Sequence, residues 1–185
     1  LVNLSGTTVL RSGGQGILVV ESSQATASQV TNADGSTTPS TLSDNALSGI
    51  ELRSGSLGIV RDSVISTNGA RGLLARQGSQ VQVSGSSVSG NGSSGITLES
   101  GSHGSLYSNT ITANGANPSA PDRMGVMVGS ADCEFVENMI SHNPGDGVWA
   151  ERARIDWSGG SVTANGGSGF NGLFAANLSI QANPT

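Results

Sequence analysis

Trp149 is the side chain in this 185-residue sequence with the clearest use in recognition. With Thr97, Met127 and Asn171 it falls at equivalent outward positions of successive repeat units, where an indole can stack on a sugar ring. Glu99, Asp122, Arg123 and Glu151 fall around it, and two carboxylates flanking a sugar are the residue types for acid and base work. The competing reading is structural. In it, segment 116–124 covers Trp149 and Met127, and Arg76 pairs with Glu99 on the surface, which stabilises little.

A second group lies on another face. Asp132 and Arg154 are equivalent one unit apart and are expected to pair, and Glu134 and Asp156 stand side by side in the same way. Stacked like charges either raise one pKa or recruit a cation; alternatively this is a solvated face steadied by Arg152 and Arg154. Cys133 reads as a buried apolar filler and, as a single cysteine, excludes an internal disulfide. His142 sits in a tight column as a packing exception, and His103 points outward without an acidic partner. No Ser-His-Asp order, Cys-x-x-Cys pair or phosphate-cradling loop stands out, because the glycines recur at the repeat spacing.

That spacing is what must position these residues. Gly49-Ile50-Glu51-Leu52 recurs as Gly72-Leu73-Leu74-Ala75 and Gly95-Ile96-Thr97-Leu98, and Asn68-Gly69, Asn91-Gly92 and Asn114-Gly115 follow at a constant offset. The period is 23 residues, too short for a helix-turn-helix unit, and apolar residues alternate with period two. Such a unit buries its apolar face only against copies of itself, so the pattern predicts an all-β parallel solenoid, residues 1–185 as one domain. Extending the register gives about seven coils beginning at Gly16, Gly49, Gly72, Gly95, Gly125, Gly147 and Gly169, with insertions at 31–41 and 116–124.

Each coil reads as three strands. The first points Ile50/Leu52 and their equivalents inward, and the second Val81/Val83 and theirs. The third supplies one apolar column: Val9, Leu42, Ile65, Val88, Ile111, Ile140 and Val162. Stacking at ~4.8 Å per coil makes a rod of roughly 35 Å. Three residues after that column come Asn45, Asn68, Asn91, Asn114, Asn143 and Asn165. They read as a structural ladder of side-chain amides, with asparagine tolerating a left-handed turn and the next glycine relieving the same demand.

Composition agrees. Aromatics are 3% and charged residues 11%, but aliphatic residues at fixed offsets exclude disorder and suit a narrow core. A net charge of −5 with no basic cluster argues against a nucleic-acid partner. No run of 18 apolar residues occurs, so no helical membrane span is expected. The chain opens and closes on second-strand patterns without capping segments, which leaves open a piece of a longer solenoid or coils that dock end to end.

The repeat, from Gly49-Ile50-Glu51-Leu52 to the asparagine column, resembles the right-handed parallel β-helix superfamily of pectate-lyase-like enzymes, mannuronan epimerases, tailspikes and surface adhesins. The resemblance implies the right hand of the coil and adds calcium as a candidate ion at Glu134 and Asp156. The His/Asp cluster of the epimerases and the grouped acids plus Arg/Lys of pectate lyases are missing from the pattern. The leading expectation is therefore a non-catalytic extracellular or cell-surface solenoid, structural or adhesive, able to stack into fibres. The alternative is a lyase or epimerase of uronate-type glycans, or a carbohydrate-binding spike module, using the face around Trp149.

Overall fold

The computed structural model describes residues 1–181 as a stack of parallel coils. The first sheet has seven parallel strands: Ile17–Val19, Ile50–Leu52, Leu73–Ala75, Ile96–Glu99, Val126–Gly129, Val148–Glu151 and Phe170–Leu173. Its register is the one written in the sequence, with Leu73 between Ile50 and Ile96. The second sheet includes Gln24–Ser28, Leu57–Arg61, Gln80–Ser84 and His103–Tyr107, and the third includes Thr41–Ser43, Val64–Ser66, Ser87–Ser89 and Thr110–Thr112. In the next two coils, Asp132–Ser141 and Arg154–Thr163 run through both, so the second and third sheets are two faces of one hydrogen-bonded sheet bent at a corner.

The bend is made by left-handed residues at equivalent places, Gly6, Asp62, Gly85, Ser108 and Glu137, and by the pair Gly159 and Gly160. From Asp62 to Glu137 a polar residue (Ser63, Ser86, Asn109, Asn138) follows and closes the corner axially. The Ser63 amide donates to Ser86 Oγ, the Ser86 amide to Asn109 Oδ1, and Asn109 Nδ2 to Asn138 Oδ1 at 3.0 Å. The corner between first and second strands explains the two periods. Where Glu99 and His103 enclose three residues, their partners Gly129 and Asp132 enclose two, so those coils need 22 residues instead of 23.

The asparagine column is a buried ladder: Asn45 Nδ2 donates to Asn68 Oδ1 at 2.9 Å, Asn68 to Asn91 at 2.9 Å and Asn91 to Asn114 at 2.8 Å. The same Oδ1 atoms accept the backbone N–H of the asparagine one coil earlier. The expected backbone role is corrected. The left-handed residue is the one before each asparagine (Asp44, Thr67, Gly90, Ala113, His142 and Ala164), which also accounts for His142 in that column. Gly69 and Gly92 serve close approach instead, since a Cβ there would lie 2.3 Å from the carbonyl oxygen of Ala46 or Gly69, while Gly115, where the second insertion starts, is left-handed as expected with φ of +86°.

Leu42, Ile65, Val88, Ile111 and Ile140 are wholly buried, as are Leu73, Ile96 and Leu98 opposite. Toward the later coils aromatics take over: Phe135 and Trp157 lie 5.1 Å apart, and Phe170 meets Trp157 edge-on. The first insertion forms a small hairpin, Val30–Thr31 with Thr37–Thr38, turning at Asp34-Gly35. No helix among the described residues is long and apolar enough to cross a membrane.

Candidate functional site

The outer face of the first sheet carries two neighbouring features. Trp149 and Met127 are half-buried, and their Cζ3 and Cε atoms would each lie 4.0 Å from a Cβ at Gly129. Glu99, Gly129 and Glu151 occupy one row across three coils, so the two carboxylates flank the bare glycine at about 9.6 Å between backbones, two strand spacings. Glu151 is held by Arg152 at 2.7 Å, whose guanidinium also lies over the Phe174 ring. The fold thus groups four of the expected residues around Gly129 and places the other four differently.

Thr97 is fully buried, so it cannot touch a ligand on this surface as expected; the strand places it outward, but neighbouring side chains close over it. Asn171 donates to Asp146 at 2.8 Å. Asp122 is turned away from Trp149 and pairs with Arg71 at 2.7 Å, and Arg123 folds back so that its Nε donates to the Gly115 carbonyl at 3.0 Å. The ion pair expected between Arg76 and Glu99 is also replaced, because Arg76 turns to Glu51 at 2.8 Å.

Glu51 is the centre of the second feature. It points outward yet is 3% exposed, and it takes Arg53 at 2.6 Å, Arg76 at 2.8 Å and Gln15 at 2.6 Å. Burial opposes its charge, but hydrogen bonds from Arg53 and Gln15 and the charges of Arg53 and Arg76 outweigh that, holding the carboxyl below the usual carboxylate range. Arg53, Arg71 and Arg76 converge on one depression of about 250 Å³ floored by Leu74. Sequence reasoning named none of these arginines as a site. The available signal was Glu51-x-Arg53 with Arg76 stacked one coil on, two like charges that require a counter-ion.

Buried polar atoms without hydrogen-bond partners concentrate here. Arg71 Nε, Arg76 Nε and Thr97 Oγ1 are all on this face. Each unsatisfied buried donor costs on the order of 1–3 kcal/mol, and such groups in native folds call for a reason.

On the second-sheet face, His103, Asp132, Glu134, Arg154 and Asp156 line a depression of about 240 Å³. Asp132 and Arg154 are in register as expected, but Arg154 pairs with Asp156 of its own strand at 2.9 Å. Glu134 accepts the Tyr107 hydroxyl at 2.6 Å. That bond and then burial push the phenol above its ordinary range. Calcium takes six to eight oxygen ligands, whereas among the described residues no three His, Cys, Asp or Glu side chains group for a metal. Glu134 and Asp156 are each already engaged, so this donor set does not fit the ion. Cys133 lies beneath, buried, its thiol pushed well up by burial and then by Glu134 and Asp132.

A search of curated proteins returns no match. Among solved structures, pectate lyase Pel9A superposes with a TM-score of 0.65 at 16% identity, over 96% of this chain and 52% of its own. The periplasmic alginate epimerase AlgG gives 0.60 at 15%, over 97% and 39%. The A-module of Azotobacter vinelandii mannuronan C-5 epimerase AlgE6 gives 0.59 at 15%, over 99% and 58%. At these identities the likeness is one of fold, and the chain spans about half the length of the proteins it matches. The family model described as the right handed beta helix region matches residues 1–120. With that match, the parallel coils and the asparagine ladder, the chain belongs to the right-handed β-helix family.

Proposed function

We propose that the outer face of the first sheet binds an anionic, uronate-type polysaccharide outside the cell. The observation that carries this is the convergence of Arg53, Arg71 and Arg76 on one depression in a chain of net charge −5. The chain has eight basic residues and all are arginine, the side chain whose planar fork matches a carboxylate through two bonds. Glu51 holds Arg53 and Arg76 in place without neutralising the cluster, since three guanidiniums face only Glu51 and Asp122. Farther along the same sheet, Trp149 and Met127 offer an apolar wall beside Gly129, so a chain of acidic sugars laid along the coil axis meets cations first and an indole next.

The similar structures include a pectate lyase and alginate and mannuronan epimerases, which favours a glycan partner over the fibre-forming, purely structural reading. Oligogalacturonates and oligomannuronates titrated by calorimetry test the proposal, with neutral oligosaccharides as controls. Binding that is salt-sensitive and weakened roughly tenfold or more by Arg76→Ala and by Trp149→Ala is expected, about 1.4 kcal/mol per tenfold. Equal affinity for neutral and acidic oligomers, or none for either, overturns it. The same mixtures followed by ultraviolet absorbance and by uronate composition show whether binding leads to elimination or epimerisation.

A further inference from the structure

The insertion at 116–124 breaks the repeat and brings one carboxylate back to the sheet. Asp122 is 6% exposed; its Oδ2 lies 2.7 Å from Arg71 Nη2, and its Oδ1 accepts the Ser93 hydroxyl at 3.1 Å. Arg71 is the only arginine in its column, whose other members are Gln15, Ser48, Ser94, Met124, Asp146 and Ser168. A carboxylate held by a guanidinium and a hydroxyl is the contact a uronate would make at the same place. We infer that Arg71 and Ser93 form a carboxylate-binding subsite at the rim of the first-sheet depression, and that Asp122 fills it as an internal stand-in which a uronate carboxylate displaces. This rests on the anionic-glycan reading of the same face.

The geometry of the pair argues for displacement. The contact of Asp122 Oδ2 with Arg71 Nη2 is an ion pair without hydrogen-bond alignment, and Asp122 Oδ2 and Arg71 Nε are both left buried without a hydrogen-bond partner. Tethered between Pro121 and Arg123, Asp122 does not take the side-on, two-bond arrangement that makes arginine–carboxylate pairs strong. A carboxylate on a free ligand has no such tether and can satisfy Nε and Nη2 together, so it outcompetes the stand-in once the other contacts deliver it. The loop can yield without disturbing the ladder. Its two feet are fixed, one by the Ala116 and Asn117 amides on the Asn91 and Gly92 carbonyls and the other by Arg123 Nε on the Gly115 carbonyl, whereas Pro118, Ser119 and Pro121 between them are exposed. Stand-in pairing also gives the half-buried Arg71 guanidinium a counter-charge before ligand arrives.

The test is calorimetric titration of wild type, Asp122→Asn and Asp122→Asn/Arg71→Gln with a galacturonate and a mannuronate oligomer, with thermal unfolding of each to establish folding. Asp122→Asn keeps the side chain's shape and its bond with Ser93 but removes the competing charge, so affinity should rise roughly tenfold. Adding Arg71→Gln should abolish the gain. If wild type binds and Asp122→Asn binds equally or more weakly, the stand-in is refuted while the glycan reading stands. If Arg71→Gln leaves the gain intact, the subsite is elsewhere and the inference fails. If no variant binds either oligomer, both readings fall. Should Asp122→Asn unfold, Asp122→Ser replaces it, with the same outcomes read the same way.

Discussion

Leu52 of the first sheet and Gly58 of the second share one volume of the core: a Cβ at Gly58 would lie 2.6 Å from Leu52 Cδ1. One coil on, the same positions hold Ala75 and Val81, and one further, Leu98 and Gly104, where a Cβ would lie 2.4 Å from Leu98 Cδ1. Bulk passes from one wall of the solenoid to the other so that each layer fills to a similar density.

The exchange predicts compensation. Gly58→Val alone overpacks the layer and should cost about 1–3 kcal/mol, and Leu52→Ala alone about 2–5 kcal/mol. The double variant writes the Ala75/Val81 layer into its neighbour and should recover most of the combined loss. Chemical denaturation read as a double-mutant cycle decides it, and simple additivity would show that the two positions do not share space.

Most of the fold could be read from period and polarity. Leu42, Ile65, Val88, Ile111 and Ile140 recur at one offset, and a column of that kind has no other way to be buried than by stacking. The asparagine positions were equally visible, but the left-handed residue beside them was not, because Thr67, Gly90, Ala113 and His142 share no side-chain property beyond tolerating one turn. The arginine cluster was hidden for a different reason. Arg76 lies one coil from Glu99 and one from Glu51, and register alone does not say which way a long side chain swings; Arg53 and Gln15, by sharing Glu51, decide it. Asp122 stands in an insertion, where no period assigns a place.

The asparagine ladder makes each member responsible for its neighbours. Asn91 Oδ1 accepts the amide N–H and Nδ2 of Asn68, while its own Nδ2 reaches Asn114 and the Ile65 carbonyl. Asn91→Ala leaves several of these groups buried and unpaired, and a loss on the order of 2–4 kcal/mol is expected. Asn165→Ala, at a less buried rung, should cost less. Equal thermal shifts for the two would mean that burial does not set the ladder's worth.

Glu51 gives the stability a defined acid limb. Its folded pKa lies below its unfolded one, so its contribution is complete above the ordinary glutamate value of about 4.3 and is lost as pH falls through the depressed folded value. Glu51→Gln should therefore flatten the stability profile in that window. At neutral pH it should cost about 1–3 kcal/mol, since Arg53 and Arg76 then face each other without their counter-charge. An unchanged acid limb in Glu51→Gln would assign that limb to other carboxylates.

Tyr107 is the only tyrosine, so its ionisation can be followed by phenolate absorbance without a competing tyrosine signal. Its hydroxyl donates to Glu134, which favours the protonated phenol, and burial adds to the effect. The midpoint in folded protein should lie above the ordinary value of about 10. Because the folded pKa is raised, the associated stability is present below the unfolded pKa and is lost as pH rises through the folded one. Glu134→Gln removes the neighbouring negative charge, and the midpoint should move back toward the ordinary value, with circular dichroism recorded at each pH so that only folded protein is scored. A midpoint unmoved by Glu134→Gln would leave burial as the whole cause and would show that the hydrogen bond between adjacent coils does not hold in solution.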